Sequence, residues 1–157
     1  MSTDYLTDVA IRPAVSCDLP IITHMTCALA QETERYTPDP KHVARIVAML
    51  LAEPALRANY WLAVRKNQIA GMCLTWDQPL PMRGGFCPWL DDVYVLPSYR
   101  KQKICRRLLA HIRQDLSLRS DVIGQRLMIM NDNQRALTTY EKYDFKLDGH
   151  LVMSRWP

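Results

Sequence analysis

The sequence predicts a single α/β domain in which helices layer onto a mixed sheet around one strand-helix-strand unit. The first observation behind this is a change of hydrophobic period. Trp89 to Val95 is rich in aromatic and β-branched residues and closes at Pro97, after which Ile104, Leu108, Ile112 and Leu116 recur at steps of four with Leu109 beside them. Such a run is a strand giving way to a helix with one apolar face. The second is a further short apolar run, Arg126 to Met130, beyond a turn at Gly124. It completes a βαβ unit, whose crossover is right-handed with parallel strands on either side of the helix. The third is a pair of strand-like runs, Tyr60 to Arg65 and Ile69 to Trp76, joined by Lys66, Asn67 and Gln68 as a hairpin.

The other elements follow in order. Val9 to Ala14 reads as a first strand ended by Pro13. Ser16 or Asp18 can cap a helix carried by Leu19, Ile22, Met25 and Leu29, with Pro20 tolerated in its first turn. After a turn at Pro38, Asp39 and Pro40, a second helix has its apolar face at Val43, Ile46, Val47, Leu50 and Leu51, and Pro54 stops it. The segment from Asp77 to Pro88 holds three of the ten prolines together with Gly84 and Gly85, which reads as a loop. Gln134 to Tyr143 is a last helix, with Asp132 and Asn133 as capping candidates, and Phe145 to Trp156 is read as a final strand or hairpin.

The 157 residues, 48% hydrophobic and 23% charged, suit one domain, residues 1–157, with a substantial core. No apolar run is long enough to span a bilayer, and the start Met1, Ser2, Thr3, Asp4 lacks the regions of a signal peptide. Five scattered cysteines without a Cys-x-x-Cys pair, and four dispersed histidines, argue against a disulfide framework or a metal site and for a reducing, cytoplasmic setting. A net charge of +4 fits an anionic ligand but falls short of the basic stripe of a dedicated nucleic-acid binder.

Between the central strand and helix lie Arg100, Lys101, Gln102 and Lys103, followed by Arg106 and Arg107. A helix start carries free N–H groups and the positive end of the dipole, so cations there make sense only around an anion. The segment reads as a phosphate cradle. It resembles the acyl-CoA-binding motif of the Gcn5-related N-acetyltransferases, Arg/Gln-x-x-Gly-x-Gly/Ala after a strand ending Val-x-Pro: Val95, Pro97, Arg100 and Ile104 match, and the two glycine positions carry Lys103 and Cys105. Downstream, Asn133, Ala136, Tyr140 and Phe145 match the family's Asn-x-x-Ala-x-x-x-Tyr-x-x-x-Gly-Phe, with Asp144 in place of the glycine.

The resemblance implies a mostly antiparallel mixed sheet whose central parallel strands splay apart. It implies acetyl-CoA as co-substrate, with the diphosphate on Arg100, Lys101, Gln102, Lys103, Ile104, Cys105 and Arg106, the pantetheine arm along Val93, Tyr94 and Val95, and Asn133 on that arm or merely capping its helix. It implies an N-acetyltransferase in which a primary amine of a small molecule or peptide attacks the thioester directly, and a homodimer as in related chains. Tyr140 would be the general acid that protonates the departing sulfur. A carboxylate should take the amine's proton; related polyamine acetyltransferases carry a glutamate at the place of Asp91, which makes Asp91 the first choice and Asp92 the second. In a regular strand these two point to opposite faces, so only one would face the site.

Bland readings stand beside these. The basic stretch could be a solvated helix face, Tyr140 and Cys105 core residues, and Trp76, Trp89 and Tyr36 core rather than pocket. A thiol at a basic helix start could also be acidic. Glu32 and Glu34 could attract a cationic substrate, but a solvated helix end is the plainer reading. The lost glycines motivate a second function, a CoA-binding or interaction module without catalysis, and the stretch from Arg100 to Arg107 alone would support a small RNA-binding domain.

Overall fold

The computed structural model describes residues 8–150 and 152–155. Its strands are β1 (Val9–Pro13), β2 (Ala58–Arg65), β3 (Gln68–Leu80), β4 (Gly85–Val95) and β5 (Arg126–Leu127), side by side in that order in one sheet. β1 to β4 pair antiparallel and β5 runs parallel to β4, the mixed, mostly antiparallel sheet expected. The helices are α1 (Leu19–Glu34), α2 (Pro40–Ala52), α3 (Ile104–Ser117) and α4 (Gln134–Glu141). Among the described residues no helix is long and apolar enough to cross a membrane.

Strand alternation divides the core in two. Tyr60 and Leu62 of β2 join Met72 and Leu74 against Ile22, Met25 and Val47 of α1 and α2. Their neighbours Trp61 and Ala63 turn the other way, onto Ile104, Leu108, Leu109, Ile112 and Leu116 of α3. Every apolar residue that the step-of-four pattern assigned to α3 is buried. The β2–β3 hairpin closes through Lys66 and Asn67, both left-handed at φ +48° and +60°, as a two-residue turn between right-twisted strands requires.

Four expectations need correction. The proline-rich stretch 77–88 is a long hairpin: β3 runs to Leu80 and β4 starts at Gly85, around a 3-10 turn at Pro81–Arg83 and a left-handed Gly84, φ +68°. Phe86 exchanges its backbone bonds with Asp121 and Ile123, so its partner Pro79 and, two residues on, Pro88 carry their ring nitrogens on the sides that face away from the β3–β4 ladder. Neither proline costs a ladder bond. Asp18 does not cap α1; its carboxylate takes the Val15 N–H at 2.8 Å and pairs with Arg12 at 2.7 and 2.9 Å. The apolar run at 126–130 keeps ladder structure only at Arg126 and Leu127. No strand forms among residues 145–150 and 152–155, where the Asp148 carboxylate takes the His150 N–H at 3.0 Å and Gly149 is left-handed. That local turn competes with a ladder; Leu151 and Trp156 lie outside the described residues.

A charged quartet holds the entry to β5. Asp77 accepts from Arg57 Nε at 2.7 Å and from Arg119 Nη1 at 3.2 Å, while both guanidiniums also reach Asp121, and Arg57 lies 3.9 Å over the Phe86 ring. The Asp77 side chain is only 3% exposed. Removing a buried acceptor strands its donors. Asp77→Ala should therefore lower the unfolding free energy by about 1–3 kcal/mol, read as a fall in the urea midpoint at constant m value.

Candidate active site

The site is built on the outer edge of β4. Leu96 N–H bonds to Ala70 of β3, and Met72 pairs with Tyr94. Strand alternation then turns the N–H and C=O of Val93 and Val95 away from β3. On that far side β5 pairs with β4 at Trp89 and Leu90, and from Asp91 onward no strand among the described residues lies beside the edge. This is the splay expected of the two parallel strands. The backbone groups of Val93 and Val95 face this edge, whereas the backbone of Tyr94 is spent on β3 and its side chain lies in the α1/α2 core.

At the open end of this edge the chain turns through a 3-10 turn, Pro97–Tyr99, into α3. Lys101 and Lys103 are left-handed, both at φ +61°, and Lys103 is the residue from which α3 starts. The first intrahelical bond of α3 is Arg107 N–H to the Lys103 carbonyl at 3.1 Å, and neither a side-chain cap nor an acidic residue occupies the first turn. The N–H groups of Ile104, Cys105 and Arg106 are thus open at the positive end of the dipole. Lys101, Lys103 and Arg106 are exposed and unpaired among the described residues.

The remaining cations have other duties. Arg107 donates to the Val9 carbonyl at 2.8 Å. Arg100 donates from Nε to the Val95 carbonyl at 2.9 Å and from Nη2 to Glu32 at 2.7 Å. Gln102 is tied to the Ser98 carbonyl at 2.9 Å and accepts from Arg65. Asn133 caps α4 by accepting from Ala136 N–H at 3.0 Å. Ile104 is buried, and the half-buried Cys105 thiol is pushed up by burial, which removes the acidic-thiol option.

Tyr140 projects from α4 onto the α3-side core, edge-on to Phe145 with centroids 5.9 Å apart. Burial, and after it Cys105 and Cys73, hold its phenol well above the usual range, so it stays protonated. Asp144, at the place of the motif's glycine, is left-handed at φ +67°, and Phe145 N–H returns to the Tyr140 carbonyl at 3.2 Å.

Opposite Tyr140's side of the sheet, β4 carries one residue more than β3 between Met72–Tyr94 and Leu74–Asp91, with Asp92 left-handed at φ +47°. This bulge breaks the alternation that would place Asp91 and Asp92 on opposite faces. Both carboxylates act on the buried Tyr60 hydroxyl, whose pKa rises through burial first and then Asp92. Asp91 is engaged: it accepts the Asp92 N–H at 3.1 Å and Trp76 Nε1 at 3.4 Å, and Trp76 stacks on Trp89 at 5.7 Å with the planes 6° apart. Asp92 is pushed up to about 6, by burial and then by Asp91 and Glu34, with Tyr60 opposing.

Sequence reasoning missed Tyr60 and the part played by Glu32, whose carboxylate accepts from Tyr94 Oη at 2.6 Å as well as from Arg100. The partners are 62 and 68 positions apart, so no local pattern could signal them.

The sequence model of the Acetyltransferase (GNAT) family matches residues 25–145. No curated protein sequence matches the chain significantly. Among solved structures, a possible acetyltransferase from Clostridium difficile 630 superposes with a TM-score of 0.87 at 24% identity, covering 96% of this chain and 99% of the other. A predicted acetyltransferase with acetyl-CoA from Clostridium acetobutylicum gives 0.74 at 18% identity, with 93% and 96% covered. An aminoglycoside acetyltransferase from an uncultured soil metagenomic sample, in complex with sisomicin, gives 0.73 at 16% identity, with 95% of each chain covered. These likenesses establish a shared fold. The family match takes in the open β4 edge, the basic start of α3 and the Tyr140 helix together, and the chain belongs to the Acetyltransferase (GNAT) family.

Proposed function

We propose that this protein is an N-acetyltransferase that moves an acetyl group from acetyl-CoA to a primary amine of a small molecule or peptide. The observation that carries the reading is the free backbone edge at Val93 and Val95 leading directly to the uncapped, cation-flanked start of α3. One long ligand with an amide-bearing arm and an anionic end suits both. Acetyl-CoA supplies such an arm, a diphosphate, an activated acyl carbon and a thiolate leaving group. The acetyl-CoA of the Clostridium acetobutylicum neighbour and the sisomicin of the aminoglycoside acetyltransferase are consistent with this pair of substrates.

In this proposal the N–H groups of Ile104, Cys105 and Arg106 receive the diphosphate, and Lys101, Lys103 and Arg106 neutralise it. Val93 bonds the arm through both backbone groups and Val95 through its N–H, since the Val95 carbonyl is held by Arg100. Gln102 steadies the loop from β2 without touching the ligand. Asn133 fixes the start of α4 and thereby the reach of Tyr140.

The carboxylates of Asp91, Asp92 and Glu34 favour a cationic acceptor at the bulge. Because a protonated amine cannot attack, Asp92 removes its proton; Asp91 ranks second, being committed to Trp76. The order suggested by the sequence is reversed because the Asp91 carboxylate is taken up by Trp76 and the Asp92 N–H, while burial raises the proton affinity of Asp92 toward the working pH. The neutral amine nitrogen then bonds to the acyl carbon, the carbon–sulfur bond breaks, Tyr140 gives its proton to sulfur, and the second proton that nitrogen sheds as the amide forms restores the Tyr140 phenol by way of solvent, to which Asp92 also returns its proton. Tyr140 suits that task because burial keeps it protonated.

The direct test is calorimetry with acetyl-CoA followed by release of CoA thiol against a panel of primary amines. Saturable binding with release on at least one amine is expected; binding without release on any would leave a module without catalysis. Tyr140→Phe should lower turnover at least about tenfold while the acetyl-CoA Kd stays within about twofold; unchanged turnover would remove Tyr140 from the reaction.

Asp92 gives a pH test with a definite sign. The base must be ionised, so turnover should rise with pH through about 6, and Asp92→Asn should abolish that limb. The folded pKa lies above the ordinary 3.8, so ionised Asp92 costs stability, and the cost grows as pH rises from about 4 to 6. Asp92→Asn should accordingly raise Tm at pH 7.5 by about 2–6 °C while lowering turnover.

A further inference from the structure

Glu32 stands in the last turn of α1, on the same side of the molecule as the proposed amine site, yet both of its carboxylate oxygens are used by the thioester side. Oε1 accepts from Tyr94 Oη at 2.6 Å, and Oε2 accepts from Arg100 Nη2 at 2.7 Å. Arg100 in turn donates to the Val95 carbonyl at 2.9 Å and lies 5.4 Å from the Tyr94 ring centroid. Three elements meet on one carboxylate: the end of α1, the end of β4 and the loop that leads into α3. Tyr94 first and Arg100 after it hold that carboxylate below its usual range, so it is charged wherever the enzyme would work.

The two side chains of the ion pair are 42% and 43% exposed. Pairs so open to water contribute little to folding. What this one does is geometric: it fixes the carbonyl of Val95 and the first residue of the loop relative to a helix that carries, two positions on, Glu34 within electrostatic reach of Asp92.

We propose that Glu32 is a positioning residue for thioester binding, holding Arg100 and Tyr94 so that the open β4 edge and the start of α3 keep one spacing, and so coupling the acceptor-side helix to the donor site. This rests on the acetyl-CoA reading above. Occupancy of either site then stiffens α1 for the other, and the coupling is reciprocal in binding free energy.

The test compares acetyl-CoA affinity by calorimetry in the wild type, Glu32→Ala, Glu32→Gln and Gln31→Ala, an exposed neighbour on the same turn. Glu32→Ala should weaken acetyl-CoA binding about three- to tenfold, with the ligand-free Tm within about 2 °C of wild type. Glu32→Gln should fall between, because its amide oxygen still accepts from Tyr94 while the charge facing Arg100 is gone. Gln31→Ala should bind as the wild type does. With an amine that supports turnover, the KM for acetyl-CoA should rise in Glu32→Ala and kcat at saturating acetyl-CoA should not fall. Wild-type affinity in both Glu32 variants would overturn the proposal and leave the acetyl-CoA reading standing, as would equal weakening in Gln31→Ala. A wild-type protein that binds no acetyl-CoA would overturn both. Should Glu32→Ala fail to fold, the graded effect of Glu32→Gln decides alone.

Discussion

A strand has two hydrogen-bonding edges, and the structure turns on how β4 divides its own. One edge is spent on β3 along nearly its whole length. The other meets β5 at two positions and beyond them has no strand partner among the described residues. Buried backbone groups seek partners, so an edge that stays open beside a core invites a ligand with amides of its own. The turn at Pro97–Tyr99 brings the start of α3 to the end of that edge, which sets a row of peptide groups in line with a cluster of N–H donors and cations.

Of the eight non-glycine residues in the left-handed region among the described residues, four belong to the segments around this edge: Asp92 at the bulge, Lys101 and Lys103 in the loop, and Asp144 after α4. Each costs backbone energy that surrounding packing must offset. Two of them, Lys103 and Asp144, fill places where the family pattern has glycine, and both adopt the left-handed backbone that glycine takes without steric cost. At Cys105, the other such place, the chain is already helical and a Cβ meets no conformational penalty. The departures from the motif thus fall where the backbone is one that glycine adopts freely, at Lys103 and Asp144, or is already helical, at Cys105. Burial of Asp92 is the same kind of concession, a carboxylate held where its charge is disfavoured.

Much of the fold was legible because period and burial coincide. Ile104, Leu108, Leu109, Ile112 and Leu116 declare α3, and Lys66 with Asn67 declares the hairpin. The hairpin at 77–88 was hidden because proline signals a break only when its missing N–H faces a ladder, and the direction in which Pro79 and Pro88 face depends on pairing that sequence does not display. The bulge was hidden for a related reason: a single inserted residue leaves composition untouched while changing which face Asp91 and Asp92 occupy. Motif positions pointed to the basic start of α3, but the side chains of Arg100, Gln102 and Asn133 turn to intramolecular partners that only the folded chain brings near.

The wedge between β4 and β5 is fastened at its vertex. There the bonds of Phe86 to Asp121 and Ile123 and the Arg57, Asp77, Arg119, Asp121 quartet lie together, at the opposite end of β4 from the residues at the mouth. Stability and ligand choice thus reside in different parts of the molecule. A lineage can exchange the side chains around the opening while the clasp at the vertex stays as it is; an architecture partitioned in this way is suited to evolutionary diversification.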